Sequence, residues 1–195
     1  MTLHDELLRA LVTPDNEGVF PLNKIIDTEI LDANYEESLR VLDDYNEFMY
    51  ISPDIVLSVR DPSNFKNTRK IAIELETGYE WDFGDSLRQI KKYRKNKSMN
   101  WLNVIVIIPK EYNRFAAIYR NEYIAVFQWE AKGKYICGTC EEEHIIPITV
   151  YKRDQICPNK KKKDGPHTFT LTDLVDLKIE VPLAESWEKA PFYKI

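Results

Sequence analysis

The sequence predicts an α/β protein: a mixed central β-sheet flanked by helices, with an elaborated C-terminal appendage. Three observations carry this expectation. Segments of helical and strand periodicity alternate along the chain. Trp101 to Ile108 is dominated by Val and Ile on both faces, as a buried parallel strand is. A length of 195 residues with a 44% hydrophobic fraction is enough for one well-buried core and an addition to it. The expected units are residues 1–34, a helix and loop; 35–130, the core; and 131–195, the appendage.

Each element has its own signal. Leu3 to Val12 is a short amphipathic helix, followed by a loop broken at Pro14, Gly18 and Pro21. From Tyr35 to Phe48 the apolar positions Leu39, Val41, Leu42, Tyr45 and Phe48 approximate a 3.6-residue period and predict a second helix. Met49 to Arg60 reads as extended, with Pro53 near an edge or bulge because it cannot donate to a ladder. Asp61-Pro62-Ser63-Asn64 supplies turn chemistry, and Lys70 to Glu76 returns as the next strand until Thr77-Gly78 breaks it. A helix capped by Asp85 or Ser86 is expected to run to about Lys97. After Trp101 to Ile108, Pro109 ends the strand; Glu111 to Tyr119 predicts a short helix and Glu122 to Trp129 a strand.

Composition narrows the function classes. The longest mainly apolar stretch is of strand length, too short to span a bilayer as a helix, and the N-terminus has no signal-type apolar run, so no membrane role is expected and a cytoplasmic location is. A net charge of −5 excludes a simple basic coat for nucleic acid. Its distribution is uneven, however: Arg88 to Lys97 holds six cations and no acid, and Lys160 to Lys163 is a second basic run. Such patches set a local field that the net charge hides, and they equally fit solvated surfaces.

The chemistry points to three acids. Asp54 follows Pro53 at the start of one strand, and Glu74 and Glu76 lie two apart on the next, on one face, with Leu75 turned the other way. Carboxylates on neighbouring strands are suited to holding Mg²⁺ or Mn²⁺ beside a phosphate, with the Leu75 carbonyl as a further oxygen donor. The competing interpretation makes Asp54 a strand-start cap and leaves Glu74 and Glu76 facing solvent on a half-exposed strand.

Pro53-Asp54, Glu74-Leu75-Glu76 and the Gln89-x-x-x-Tyr93 pattern on the following helix together resemble the PD-(D/E)xK nuclease superfamily, in its Holliday junction resolvase and exonuclease-like branch. The resemblance covers about residues 35–130 and implies a restriction-endonuclease-like αβββαβ core. It further implies a Mg²⁺-dependent deoxyribonuclease in which Asp54, Glu74 and Glu76 hold metal and Gln89 assists. A further acid from the first core helix often completes such sites; Glu37 is the first candidate, Glu36 the alternative and Glu29 a third. Arg88, Lys91, Lys92, Tyr93 and Arg94 are the expected DNA contacts, and a dimer would suit cleavage of two strands. Glu76 stands where the superfamily usually has lysine, whose missing cation Lys91 or Lys92 would have to replace. Two alternatives therefore stand: a non-catalytic nucleic-acid- or protein-binding module on a degenerate nuclease fold, and a zinc-stapled interaction protein.

In the appendage, Cys137-Gly138-Thr139-Cys140 precedes Cys157, with His144 and His167 in range. Three thiolates and one imidazole would close a tetrahedral structural Zn²⁺ site, for which Cys137, Cys140, Cys157 and His167 are the expected ligands. A disulfide or three unrelated thiols are the other options. His4 is expected to be a surface residue, and Tyr79, Trp81 and Phe83 either stack on bases or roof the core.

Overall fold

A capping box starts the chain's first helix, α1 (Leu3–Val12): the Thr2 hydroxyl accepts from the Asp5 amide at 3.2 Å, and the Asp5 carboxylate accepts from the Thr2 amide at 2.9 Å. Its Leu7, Leu8 and Leu11 are buried. The computed structural model describes residues 2–35, 38–42, 48–78, 83–96, 99, 101–150, 156–159 and 169–182. Among them the chain forms an α/β structure on a mixed, curled sheet of seven strands.

The strands are β1 (Ile30–Tyr35), β2 (Leu39–Leu42), β3 (Phe48–Ile51), β4 (Ile55–Arg60), β5 (Thr68–Leu75), β6 (Trp101–Pro109), β7 (Ala125–Cys137), β8 (Glu143–Pro147) and β9 (Phe169–Glu180). Two further helices, α2 (Phe83–Lys95) and α3 (Ala116–Asn121), connect β5 to β6 and β6 to β7. The main sheet runs β1-β4-β5-β6-β7-β8, and β9 also pairs with β7; β2 and β3 form a separate hairpin. β4 and β5 are antiparallel, whereas β5-β6 and β6-β7 are parallel, as helical crossovers require.

The sheet buries both faces. On one, Ile55, Leu57, Ile71, Ile73 and Leu75 pack with the leucines of α1. On the other, Val56, Ala72, Val104 and Val106 pack against Ile90 and Tyr93 of α2 and Tyr119 of α3. Each fully buried aliphatic side chain here contributes about 1.5–3 kcal/mol. The expected run of Val and Ile in β6 is thus covered from both sides.

Several expectations are corrected. No helix spans 35–48 among the described residues: β1 reaches Tyr35, and β2 and β3 form the hairpin. Leu39 and Val41 are buried while Arg40 and Leu42 are exposed, a period of two that the short apolar run had concealed. Ser86 is no cap; it lies within α2, where its hydroxyl and the buried Tyr119 hydroxyl are 2.7 Å apart. Glu111 to Tyr119 divides into a 3-10 turn, Lys110–Phe115, and α3. β1 joins β4 in the main sheet, and β7 runs unbroken through position 130.

Candidate functional site

The hairpin β4-β5 sets the acids opposite one another. Ile55 pairs with Ile73, so continuing the register by one residue brings Asp54 against Glu74. Asp54 Oδ2 accepts from the Leu75 amide at 2.7 Å, so Leu75 contributes an N–H to this corner, locking the aspartate onto the end of β5. The Glu76 main chain is held on both sides, its amide donating to Ile107 at 2.8 Å and its carbonyl accepting from Trp129 Nε1 at 2.8 Å. Gly78 then turns the chain at φ 83°, and a Cβ there would meet Tyr112 and Val150 at 2.6 Å. The acids accordingly lie at the carboxyl end of β5, beside that of its parallel neighbour, the usual ligand position in open α/β sheets.

Glu74 is 6% exposed, which rules out the solvent-facing interpretation of that residue. Burial first, then the Asp54 carboxylate beside it, pushes its pKa up to about 10, with Glu76 adding to the same effect. Glu74 Oε1 has no hydrogen-bond partner among the described residues. The Tyr93 phenol acts on Glu74 in the opposite sense, as a donor. Tyr93 in turn accepts from Gln89 Nε2 at 2.8 Å. Burial, and then the Glu74 charge, raises the pKa of Tyr93 further above its ordinary value, so the phenol keeps its proton.

Gln89 and Tyr93 are therefore a relay onto the buried glutamate. Tyr93 is 1% exposed, which removes it from the expected DNA contacts. Lys91 pairs with Glu122 at 2.9 Å and Lys92 reaches the Tyr50 carbonyl at 3.4 Å, so neither supplies the cation missing at Glu76. The basic group beside the acids is instead His4, whose Nε2 is 3.4 Å from Asp54 Oδ1. Its expected surface role is corrected: α1 folds back over the sheet and delivers the imidazole to the site. No local signal marks it, since the pairing joins positions 4 and 54 across the fold. Glu36 and Glu37 lie outside the described residues, and Glu29 pairs with Arg60 at 3.1 Å.

A second surface lies between α2 and the β2-β3 hairpin. Arg88, Lys91, Lys92 and Lys95 line a groove of about 410 Å³ with Leu42, Met49 and Asn96. Phe48 and Tyr50 on the hairpin are each 64% exposed, and the Arg40 guanidinium covers the Phe48 ring at 3.6 Å. Arg88 also pairs with Asp85, and Arg94 donates to the Glu122 carbonyl. Among the aromatics after β5, Phe83 packs on Phe115 and Tyr119, as a roof on the core does, while Tyr79 and Trp81 lie outside the described residues. In the appendage, Cys137, Cys140 and Cys157 form no disulfide and converge; His167 lies outside the described residues, and His144 stands beside Cys157. No helix among the described residues is long and apolar enough to cross a membrane.

No protein-family model, curated protein or solved structure matches the chain, so the site is interpreted on its own geometry.

Proposed function

We propose that the protein is a divalent-metal-dependent nuclease acting on DNA, built on a restriction-endonuclease-like core. The observation that carries this reading is the buried Glu74 facing Asp54 at the sheet's carboxyl end, with an oxygen left unpartnered among the described residues. Two adjacent carboxyl groups under a protein surface are costly unless a proton or a cation neutralises them. No three of His4, Asp54, Glu74 and Glu76 have ligand atoms within 4.8 Å of one another, so a hard divalent ion would be held first by the Asp54 and Glu74 oxygens, with water completing its shell. The order α1, β1, β4, β5, α2, β6, with β2 and β3 inserted after β1, supports the αβββαβ core topology.

Asp54 and Glu74 would hold the ion; His4, 3.4 Å from Asp54, would have to move in as a third ligand, and Glu76 is next in line to bind it or accept a proton from water. Bound there, such an ion supplies charge neutralisation at phosphate and a more acidic water. Gln89 and Tyr93 orient Glu74, while the groove of Arg88, Lys91, Lys92 and Lys95 draws in the sugar-phosphate backbone and Phe48 and Tyr50 offer faces for stacking.

The direct test incubates the protein with duplex, single-stranded and four-way DNA under Mg²⁺, Mn²⁺ or chelator. Metal-dependent cutting supports the nuclease; tight binding without cutting under every metal favours the non-catalytic module, to which the glutamate at position 76 would belong. An imidazole ligand suits a transition ion better than Mg²⁺. His4→Ala is therefore expected to reduce the preference for Mn²⁺ over Mg²⁺ by about tenfold, measured as the ratio of activating metal concentrations. Lys91→Ala with Lys92→Ala should weaken DNA binding uniformly across sequences and flatten the log Kd against log salt slope by about two. An unchanged slope would remove the groove from the binding surface.

A further inference from the structure

The geometry points to a second metal site, a closed tetrahedral Zn²⁺ centre formed by Cys137, Cys140, Cys157 and His144. It lies where β7 turns into β8. Cys137 ends β7, Cys140 closes the turn, His144 is on β8, and Cys157 arrives from the segment 156–159. The three sulfurs lie within 4.8 Å of one another. Cys140 Sγ and Cys157 Sγ are 3.7 Å apart, and Cys157 Sγ is 3.7 Å from His144 Nε2.

Those separations discriminate among the chemistries. A disulfide needs sulfurs at about 2.05 Å. A tetrahedron with Zn–S bonds of about 2.3 Å has sulfur-sulfur edges of about 3.8 Å, and a shorter Zn–N bond gives a mixed edge of about 3.6 Å. Both observed separations are of the second kind.

The surroundings are those of thiolate ligands. The Cys140 amide is 3.5 Å from Cys137 Sγ and aimed at it, and Asn159 Nδ2 is 3.9 Å from Cys140 Sγ, so N–H donors face the sulfurs. The turn is fixed by the Glu141 amide donating to the Cys137 carbonyl at 2.8 Å, with Glu141 itself at φ 56°, and by the Cys137 amide donating to Glu142 at 3.1 Å. Phe169 packs on the His144 ring at 5.8 Å between centroids. Cys137 and Cys157 are buried and His144 is largely covered; the three sulfurs converge, and His144, 3.7 Å from Cys157, has only to close on Cys137 to take the fourth position and leave none for a substrate. The role is structural: the ion ties segment 156–159 to the β7-β8 hairpin. The competing oxygen donor, Glu142, is 61% exposed and 3.9 Å from His144 Nε2. It meets the same ring nitrogen that faces Cys157, so it competes with the ion for that nitrogen and does not accept from the imidazole's other N–H.

The test is elemental analysis of the full chain, loaded with zinc under reducing conditions and dialysed without chelator, together with spectra of the Co²⁺-substituted protein. About one zinc per chain is expected, with ligand-field bands of tetrahedral Co²⁺ and thiolate charge transfer. Cys157→Ser and His144→Ala should each lower zinc affinity at least about tenfold. His144→Cys should keep the metal with stronger thiolate charge transfer, and His167→Ala should keep it unchanged. Less than about a tenth of an equivalent of zinc in the wild type overturns the site, as does a Cys140–Cys157 disulfide found by mass spectrometry of the protein taken without reductant. Loss of zinc on His167→Ala but not on His144→Ala overturns the assignment of the fourth ligand.

Discussion

Asp54→Asn is expected to abolish the proposed metal-dependent DNA cleavage, by about 10³-fold or more in single-turnover rate, while leaving the fold and duplex binding close to wild type. The asparagine is chosen because its side-chain oxygen still accepts the Leu75 amide that now meets Asp54 Oδ2 at 2.7 Å. What it removes is the negative charge facing Glu74. A variant unable to balance a cation between positions 54 and 74 cannot place charge neutralisation at a phosphate, whatever its affinity for DNA. Cutting by Asp54→Asn within about threefold of the wild-type rate, at saturating Mn²⁺, would sink the hydrolytic proposal.

Glu74→Gln separates stability from metal binding. In the unfolded chain Glu74 loses its proton near its ordinary 4.5, whereas in the fold burial and then Asp54 hold it to about 10. Between those values the folded state binds the extra proton, so without metal the contribution of Glu74 to stability falls as pH rises from about 4.5 to about 10. At pH 7 the loss amounts to about 3 kcal/mol, since each unit is worth about 1.4 kcal/mol. Glutamine has the shape and the donor of the protonated acid without its titration. The metal-free Glu74→Gln protein should therefore be more stable by about 2–3 kcal/mol at pH 7, with the gain vanishing near pH 4. The same substitution should erase the rise in melting temperature that Mn²⁺ gives the wild type, a rise that grows with pH because binding the ion releases the Glu74 proton. Denaturant titrations across pH, with and without Mn²⁺, read both effects. Equal stabilities for the two proteins at pH 7 would show that Glu74 is not held neutral.

How much of this the sequence displayed depended on how local each signal was. The acids were visible because strand period and chain order place Asp54 and Glu74 on adjoining segments, and the observed register sets them opposite. Gln89 and Tyr93, four apart on a helix, announced their contact, although only the structure directs it inward to Glu74. Leu39 and Val41 fitted both periods, and four-residue strands are too short for periodicity to choose. β1 was invisible because it is an edge strand whose burial follows no clean alternation. β9 carries register shifts and a positive φ at Asp176 that break its pattern. His4 could not be read at all, since long-range pairing with Asp54 leaves no trace in neighbouring residues. His144 was in range, four positions after Cys140, but no local signal in the sequence chose between it and His167.

The thirteen-residue strand β7 separates the two proposed metal sites. Trp129 braces Glu76 near the strand's start, and Cys137 lies eight residues further on, about 26 Å at the usual rise. At that remove a sulfur-bound ion would reach no phosphate held by the carboxylates, and chelation of one metal would act on the other only through the stiffness of the intervening backbone. A single β-segment would thus serve as a spacer, insulating a scaffold ion from a reactive one.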